Sequence, residues 1–281
     1  MDEKKIGFIG AGNIAHALIQ GMIESGQFTS DQIRMNNRSN VPRRRRIESV
    51  YSVPYVGKRQ LVDWADVLIL AVKPQDLFDV LEEISPLMTE RKLIVSIVAG
   101  VDIKSIAGSL NQKMPIIRAM PNTSAKVLFS ATALSVGKMV LTEEYELAAK
   151  IFFCVGSVRQ VPETQMDAVT GLSGSGPAYV YTFLKAMIEG GEQLGLSHED
   201  AGELALQTLR GAIEMVSATG TDPSELTRQI CSPNGTTLAG LKVLESHHFQ
   251  ENIVDAIKAA THRSEELRLE NRQRQASRKA V

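Results

Sequence analysis

Apolar and polar positions change places on two scales in the first part of the chain. Short apolar runs recur at Lys5–Ile9, Gln32–Asn36, Val67–Val72, Leu93–Ile97 and Ile116–Ala119, each bounded by Gly, Pro or polar residues. Between them, Ile14–Ser25 and Leu77–Ile84 space their apolar residues at helical intervals. Strands alternating with helices predict βαβ units and a parallel sheet. Ala131–Ser135 and Ser157–Val161 predict further strands of that sheet, with a helix over Glu143–Phe153 between them. From about residue 165 the strand period disappears. The spacing there predicts helices over Ala178–Gly195, Ser197–Thr219, Ser224–Ile230, Thr236–Ser246 and Asn252–Glu270. The expected fold is therefore an α/β domain over residues 1–164 followed by an all-helical domain over 165–281. The polar segment Glu270–Val281 carries no apolar stripe and is expected to fray.

Composition narrows the class. The 281 residues are 43% hydrophobic and 22% charged, as in a soluble globular protein. A formal net charge of -1 gives no general drive toward nucleic acid or membrane. The longest apolar run, Leu93–Val101, contains Ser96 and Gly100 and falls short of the roughly 20 apolar residues that a span needs. The N-terminal apolar stretch is broken by Gly7, Gly10 and Gly12 and does not read as a secretory leader, so a cytoplasmic protein is expected. Cys154 and Cys231 are too few for a disulfide framework or a thiolate metal site. The histidines show no ligand spacing, and no metal is expected.

Gly10-Ala11-Gly12-Asn13-Ile14-Ala15 lies between the first strand and the first helix and fits GxGxxA, a form of the dinucleotide fingerprint. Gly10 allows the tight turn, Gly12 lets the backbone approach a pyrophosphate, and Ala15 keeps the helix close to the sheet. Amides at Asn13 and Ile14 then face the pyrophosphate at a helix start. This context identifies the α/β domain as a Rossmann domain. An NAD-selective site ends its second strand in Asp or Glu, which accepts from the ribose 2′-OH. Here the strand ends in Asn36-Asn37-Arg38-Ser39, without a carboxylate. Asn37, Arg38 and Ser39 supply donors suited to a 2′-phosphate, so NADPH is expected over NADH. Arg43–Arg46 reads either as a solvated helix face or as a phosphate-steering patch. Ala71-Val72-Lys73-Pro74 and Met120-Pro121-Asn122-Thr123 follow later strands and belong on the same rim.

The helical half holds two segments unsuited to plain helix. One is Gly171-Leu172-Ser173-Gly174-Ser175-Gly176-Pro177, whose Gly and Pro residues interrupt a helical period. The other is Ser232-Pro233-Asn234-Gly235-Thr236-Thr237, a turn into a helix whose free amides suit an anion such as a carboxylate.

Taken with IGFIGAGN at Ile6–Asn13, AVKPQ at Ala71–Gln75, VAGV at Val98–Val101 and MPNT at Met120–Thr123, these segments resemble the pyrroline-5-carboxylate reductase family. The resemblance runs from about residue 5 to residue 268. It implies reduction of (S)-1-pyrroline-5-carboxylate to L-proline with NADPH or NADH. It also implies a helical domain that interlocks two subunits, with decamers of five dimers in some members. By the same resemblance, Ser173, Gly174 and Ser175 lie against nicotinamide and substrate, and Val98-Ala99-Gly100 and Pro121-Asn122 match cofactor-contacting loops. Asn234, Gly235, Thr236 and Thr237 hold the substrate carboxylate, with Ser232 nearby, and Thr237 hydrogen-bonds the ring nitrogen.

This chain departs from the family pattern at three places. Asn234 stands where the first glycine of SPGGTT is usual, a position that Asn tolerates if φ is positive. Cys231 replaces a small hydroxyl residue, and Gly220-Thr221 offers no acid to face the nitrogen. Other readings are a different cyclic imine, a 3-hydroxy acid with Lys185 as the helical-domain lysine, or a dinucleotide-sensing partner protein without turnover.

Overall fold

The computed structural model describes residues 4–38, 41–110 and 113–279. Its sheet comprises β1 (Ile6–Ile9), β2 (Ile33–Asn36), β3 (Val67–Leu70), β4 (Leu93–Ser96), β5 (Ile116–Met120), β6 (Ser130–Val136) and β7 (Gly156–Gln160), in the order β2-β1-β3-β4-β5-β6-β7. The predicted strands are all present. β1, β3 and β4 are buried along their whole length, as expected of parallel strands covered on both faces.

Helices α1 (Asn13–Glu24), α2 (Val41–Tyr51) and α6 (Thr142–Phe153) pack on one face, where Phe8, Met35, Ile69, Val95 and Ile117 point. Helices α3 (Lys58–Trp64), α4 (Leu77–Ile84) and α5 (Ile103–Gly108) cover the other face over Ile9, Leu68, Leu70 and Ile94. On that side Gly7 admits α3: a Cβ there would lie 3.0 Å from the Ala65 Cβ.

The sheet departs from the all-parallel expectation at one pairing. β5 and β6 run antiparallel, with Arg118 opposite Ser135. Only Pro121–Phe129 joins them, which is shorter than the dozen or so residues a parallel crossover needs. Both sheet edges are finished in specific ways. Along β2, Met35 N donates to Pro54 O and accepts Val56 N at its carbonyl, so the 54–56 segment covers that edge. The outer strand β7 is largely exposed and carries Arg159.

The chain divides by contacts into residues 1–175 with 258–281, and residues 176–257. A single boundary after residue 164 was expected. The contacts place α7 (Met166–Val169) and the following turn with the sheet, and bring the end of the chain back to it. The second unit contains α8 (Gly176–Gln193), α9 (His198–Thr219), α10 (Pro223–Ile230), α11 (Thr236–Ser246) and the start of α12 (Phe249–Lys279). Ala201 and Ala205 are its buried residues. Small residues let α8 and α9 approach closely: a Cβ on Gly191 would lie 3.0 Å from the Ala201 Cβ.

The expectation of a frayed tail is corrected. α12 continues to Lys279, and Asn271 is buried. The helix carries no apolar stripe because it docks through hydrogen bonds, which a search for apolar periodicity does not register.

Candidate active site

The rim expected to hold a dinucleotide forms at the carboxyl ends of β1 to β5, all within the first unit. Gly10 has φ +102°, and a Cβ there would lie 2.5 Å from Ala71 O, so the first and third loops touch through backbone alone. Gly10 N donates to Asn36 O at 2.8 Å, and Ala71 N donates to Ile9 O at 2.8 Å. Gly12 occupies the N-cap of α1 in an extended conformation and has no side chain to close it. The first amides of α1, at Asn13 and Ile14, therefore face out of the helix start.

Asn37 is half-buried and Arg38 exposed at the end of β2, while Ser39 lies outside the described residues. The arginine run divides in use. Arg44 places its guanidinium 4.1 Å from the Tyr55 ring centroid and its Nε 3.5 Å from Glu48. Arg46 instead lines a cavity of about 540 Å³ with Asn13, His16, Gln20 and Lys126. Ala71 and Val72 are half-buried, and exposed Lys73 caps the short 3-10 turn that begins at Pro74. Ala99 is half-buried, and Gly100 is buried with φ +69°.

Asn122 has more to do than its position on the rim suggested. Its side-chain oxygen accepts from Ser124 N at 3.1 Å, and its Nδ2 donates to Ser173 O at 3.0 Å. Ser173 belongs to a π-helical turn over Thr170–Gly174, closed by Ser175 N donating to Thr170 O at 2.9 Å. Gly174 packs against Met120: a Cβ there would meet the Met120 Cε at 2.7 Å. The MPN and SGS segments are thus fastened to each other, which puts Ser173, Gly174 and Ser175 beside the dinucleotide rim. A π turn departs from regular helical bonding and is frequent at functional sites.

Beneath this junction sits a group of charges that the sequence reading did not single out. Arg118, on β5, is 2% exposed, and its Nη2 lies 3.9 Å from Asp167 Oδ1. Asp167 also accepts from Ser264 Oγ at 2.8 Å and from Arg268 Nε at 2.7 Å. Burial pushes the Arg118 pKa down, and the carboxylates of Asp167, Glu163 and Asp102 oppose that shift. At Asp102 burial works to raise the carboxyl pKa. The bonds from Ser105 and the pairing with Arg272 outweigh it and hold the group below its ordinary value. The available signal was a lone arginine in an otherwise apolar strand.

In the second unit, Ser232, Asn234, Gly235, Thr236 and Thr237 form one turn at the start of α11. Asn234 has φ +58°, the left-handed conformation in which the family's usual glycine is easily replaced by Asn. Gly235 N donates to Ser232 O at 3.0 Å, and a Cβ on Gly235 would fall 2.2 Å from Ser232 Oγ, so any side chain there requires the Ser232 hydroxyl to turn aside. Thr236 and Thr237 are the first residues of the helix, so their amides have no intrahelical partner. Thr237 is half-buried, whereas Ser232, Asn234 and Thr236 are exposed. Half-buried Cys231 closes α10 and is a free thiol, and Gly220 ends α9 at φ +63°.

Among the described residues no cluster of His, Cys, Asp and Glu is arranged to hold a metal. Nor is any described helix long and apolar enough to cross a membrane.

Comparison with known proteins covers the whole arrangement. Residues 163–267 match the family model for pyrroline-5-carboxylate reductase dimerisation. Residues 5–100 match that for NADP oxidoreductase, coenzyme F420-dependent. The chain is 39% identical over 266 residues to pyrroline-5-carboxylate reductase 2 of Bacillus subtilis, covering 94% of this chain and 95% of that one. It is 38% identical to the pyrroline-5-carboxylate reductase of Glycine max, covering 93% of this chain and 95% of that one. Among solved structures, the Coxiella burnetii pyrroline-5-carboxylate reductase superposes with a TM-score of 0.88 at 36% identity, over 95% of this chain and 99% of that one. A Plasmodium falciparum pyrroline carboxylate reductase with NADP bound gives a TM-score of 0.86 at 30% identity, over 95% and 99%.

Proposed function

The chain belongs to the pyrroline-5-carboxylate reductase family, and on that premise we propose how its residues divide the work of the reaction. The protein is an NAD(P)-dependent oxidoreductase that reduces (S)-1-pyrroline-5-carboxylate to L-proline, the last step of proline biosynthesis. The sheet-bearing unit serves the cofactor, the helices of residues 176–257 serve the substrate and the pairing of copies, and the working unit is a homodimer in the cytoplasm.

The rim residues fit a dinucleotide. Gly12 leaves open the space that a side chain would fill, with Ala71 O the nearest atom to a Cβ at 3.7 Å. The bare start of α1 suits a pyrophosphate, so Gly10, Gly12, Asn13 and Ile14 hold it. Ala71, Val72, Lys73, Pro74, Ala99, Gly100 and Asn122 shape the rest of the groove. Asn37, Arg38 and Ser39 take the 2′-phosphate, and that preference makes NADPH the better cofactor, with NADH as a second. When bound, the reduced nicotinamide supplies the hydride.

The chain's own groups position and anchor the substrate. Amides at Gly235, Thr236 and Thr237 bind its carboxylate, with Asn234 holding the turn open and Ser232 bracing Gly235. The Thr237 hydroxyl hydrogen-bonds the ring nitrogen. Ser173, Gly174 and Ser175 border the reacting face. A protonated imine carbon is electrophilic enough to accept hydride, so a substrate that arrives protonated needs no strong acid from the protein. Positioning is then the main contribution, and effective molarities on the order of 10⁵–10⁸ M show how much it can supply. The observation that supports this reading most is the Asn122–Ser173 bond, which ties the cofactor rim to the SGSGP segment.

The test is oxidation of NADPH and of NADH with and without pyrroline-5-carboxylate, in the wild type and in Arg38→Ala. Saturable, imine-dependent turnover that yields proline is expected. The KM for NADPH in Arg38→Ala should rise about tenfold or more, because a charge-assisted bond is worth roughly 1.5–3 kcal/mol, while the KM for NADH stays near its wild-type value. Equal effects on both cofactors would remove Arg38 from cofactor choice.

A further inference from the structure

The final turns of α12 carry a polar stripe. Ser264, Arg268, Asn271, Arg272 and Gln275 follow one another at helical spacing, and each donates a hydrogen bond to residues between Gly100 and Asp167 of the same unit. Ser264 and Arg268 meet Asp167, which opens α7 ahead of the π turn. Arg272 meets Asp102, which caps α5 by accepting Ser105 N at 2.7 Å. Gln275 donates to Ser105 O at 2.6 Å and to Ser109 Oγ at 3.1 Å. Asn271 is 4% exposed and donates from Nδ2 to the carbonyl of Gly100 at 2.9 Å.

The Gly100 contact differs in kind from the others. They anchor the helix to acidic side chains or to α5. This one grips the backbone of the Ala99–Gly100 loop. Gly100 sits at φ +69°, and a Cβ there would meet Leu267 Cβ at 3.1 Å, so the loop is a free-turning glycine pressed against the helix. Glycine peptides lose more freedom on ordering than others. A carbonyl held from one side fixes the orientation of its peptide plane.

We propose that Asn271 is a positioning residue for the dinucleotide: its bond to Gly100 presets the Ala99–Gly100 loop in the orientation that receives the cofactor. The inference rests on the assignment of that loop to the cofactor rim. Without the bond the loop must be ordered at the moment of binding, and that cost appears as weaker affinity. The four neighbouring donors keep α12 in place when Asn271 is changed, so the effect is confined to the loop.

The experiment compares wild type with Asn271→Ala and Asn271→Leu, the second keeping packing volume while losing the donor. Calorimetric titration with NADPH should show the Kd raised about fivefold in both variants, the value of one neutral hydrogen bond. The KM for the imine and kcat should stay close to wild type. Amide exchange should quicken in residues 97–102 while α12 remains protected. An unshifted Kd in either folded variant overturns the inference. So does a lower kcat together with raised KM for both substrates and a lowered melting temperature, which marks a purely structural residue. A wild-type protein that binds no NADPH would instead sink the assignment of the rim, and the inference with it.

Discussion

The two compact units are folded on different terms. The sheet unit buries continuous apolar strands under helices on both faces and completes its core within one chain. Residues 176–257 bury only Ala201 and Ala205, while Leu194, Ile230, Tyr181, Leu204 and Ile213 are between 59% and 89% exposed. Apolar exposure on that scale marks an interaction surface rather than a finished domain. The dimerisation model falls on the same part of the chain, in keeping with self-association through this part.

Charge placed on the helical surface should break this contrast most severely. Ile213→Glu should reduce the dimer to a monomer in analytical ultracentrifugation and abolish most of the activity, since a buried unpaired charge costs several kcal/mol, or about 100-fold or more in association. Val50→Glu makes the matching change on α2, where the side chain is 59% exposed on the completed unit, and should alter neither mass nor activity. Loss of assembly in both variants would erase the distinction.

A smaller effect is expected inside the second unit. Thr237→Ala should lower kcat/KM for the imine about tenfold to 100-fold, as for a lost bond to a charged group, and leave the NADPH Kd unchanged. A change in cofactor affinity instead would remove Thr237 from the anchoring of the imine.

The smallest effect sharpens the contrast chemically. Burial pushes the Cys154 thiol pKa up, and its neighbours Ser25 and Lys150 only partly offset that. Fewer thiolates form at neutral pH, so Cys154 should resist alkylation while half-buried Cys231 reacts first, as mass mapping of partially labelled protein would show. Equal labelling would mean that the core of the first unit opens as readily as the second.

Much of the fold was legible in the sequence because its signals are local. Apolar runs of strand length and helical spacing each need only a window of neighbours, and the bounds of α4 and α11 follow from that spacing. The glycine motif was legible for a related reason, since Gly10 answers to a backbone contact with Ala71 O that no side chain permits. The β5–β6 direction was also available, in the shortness of the Pro121–Phe129 connection, but apolar periodicity carries no sign of direction. Nor does it register docking by donors, so Asn271 looked like part of a solvated tail. Arg118 and Asp167 lie 49 residues apart in number and meet only after the sheet and α7 are built.

The finished edges of the sheet bear on how this chain can go wrong. On one side the 54–56 segment already occupies the bonds of β2, and on the other Arg159 interrupts exposed β7. Such edges do not invite a further strand. A newly made, still solitary chain is therefore poorly suited to stack into fibrils, and its hazard lies in indiscriminate adhesion through uncovered helices. Crowded expression should yield amorphous precipitate rather than ordered fibres, and rapid pairing of copies is the remedy.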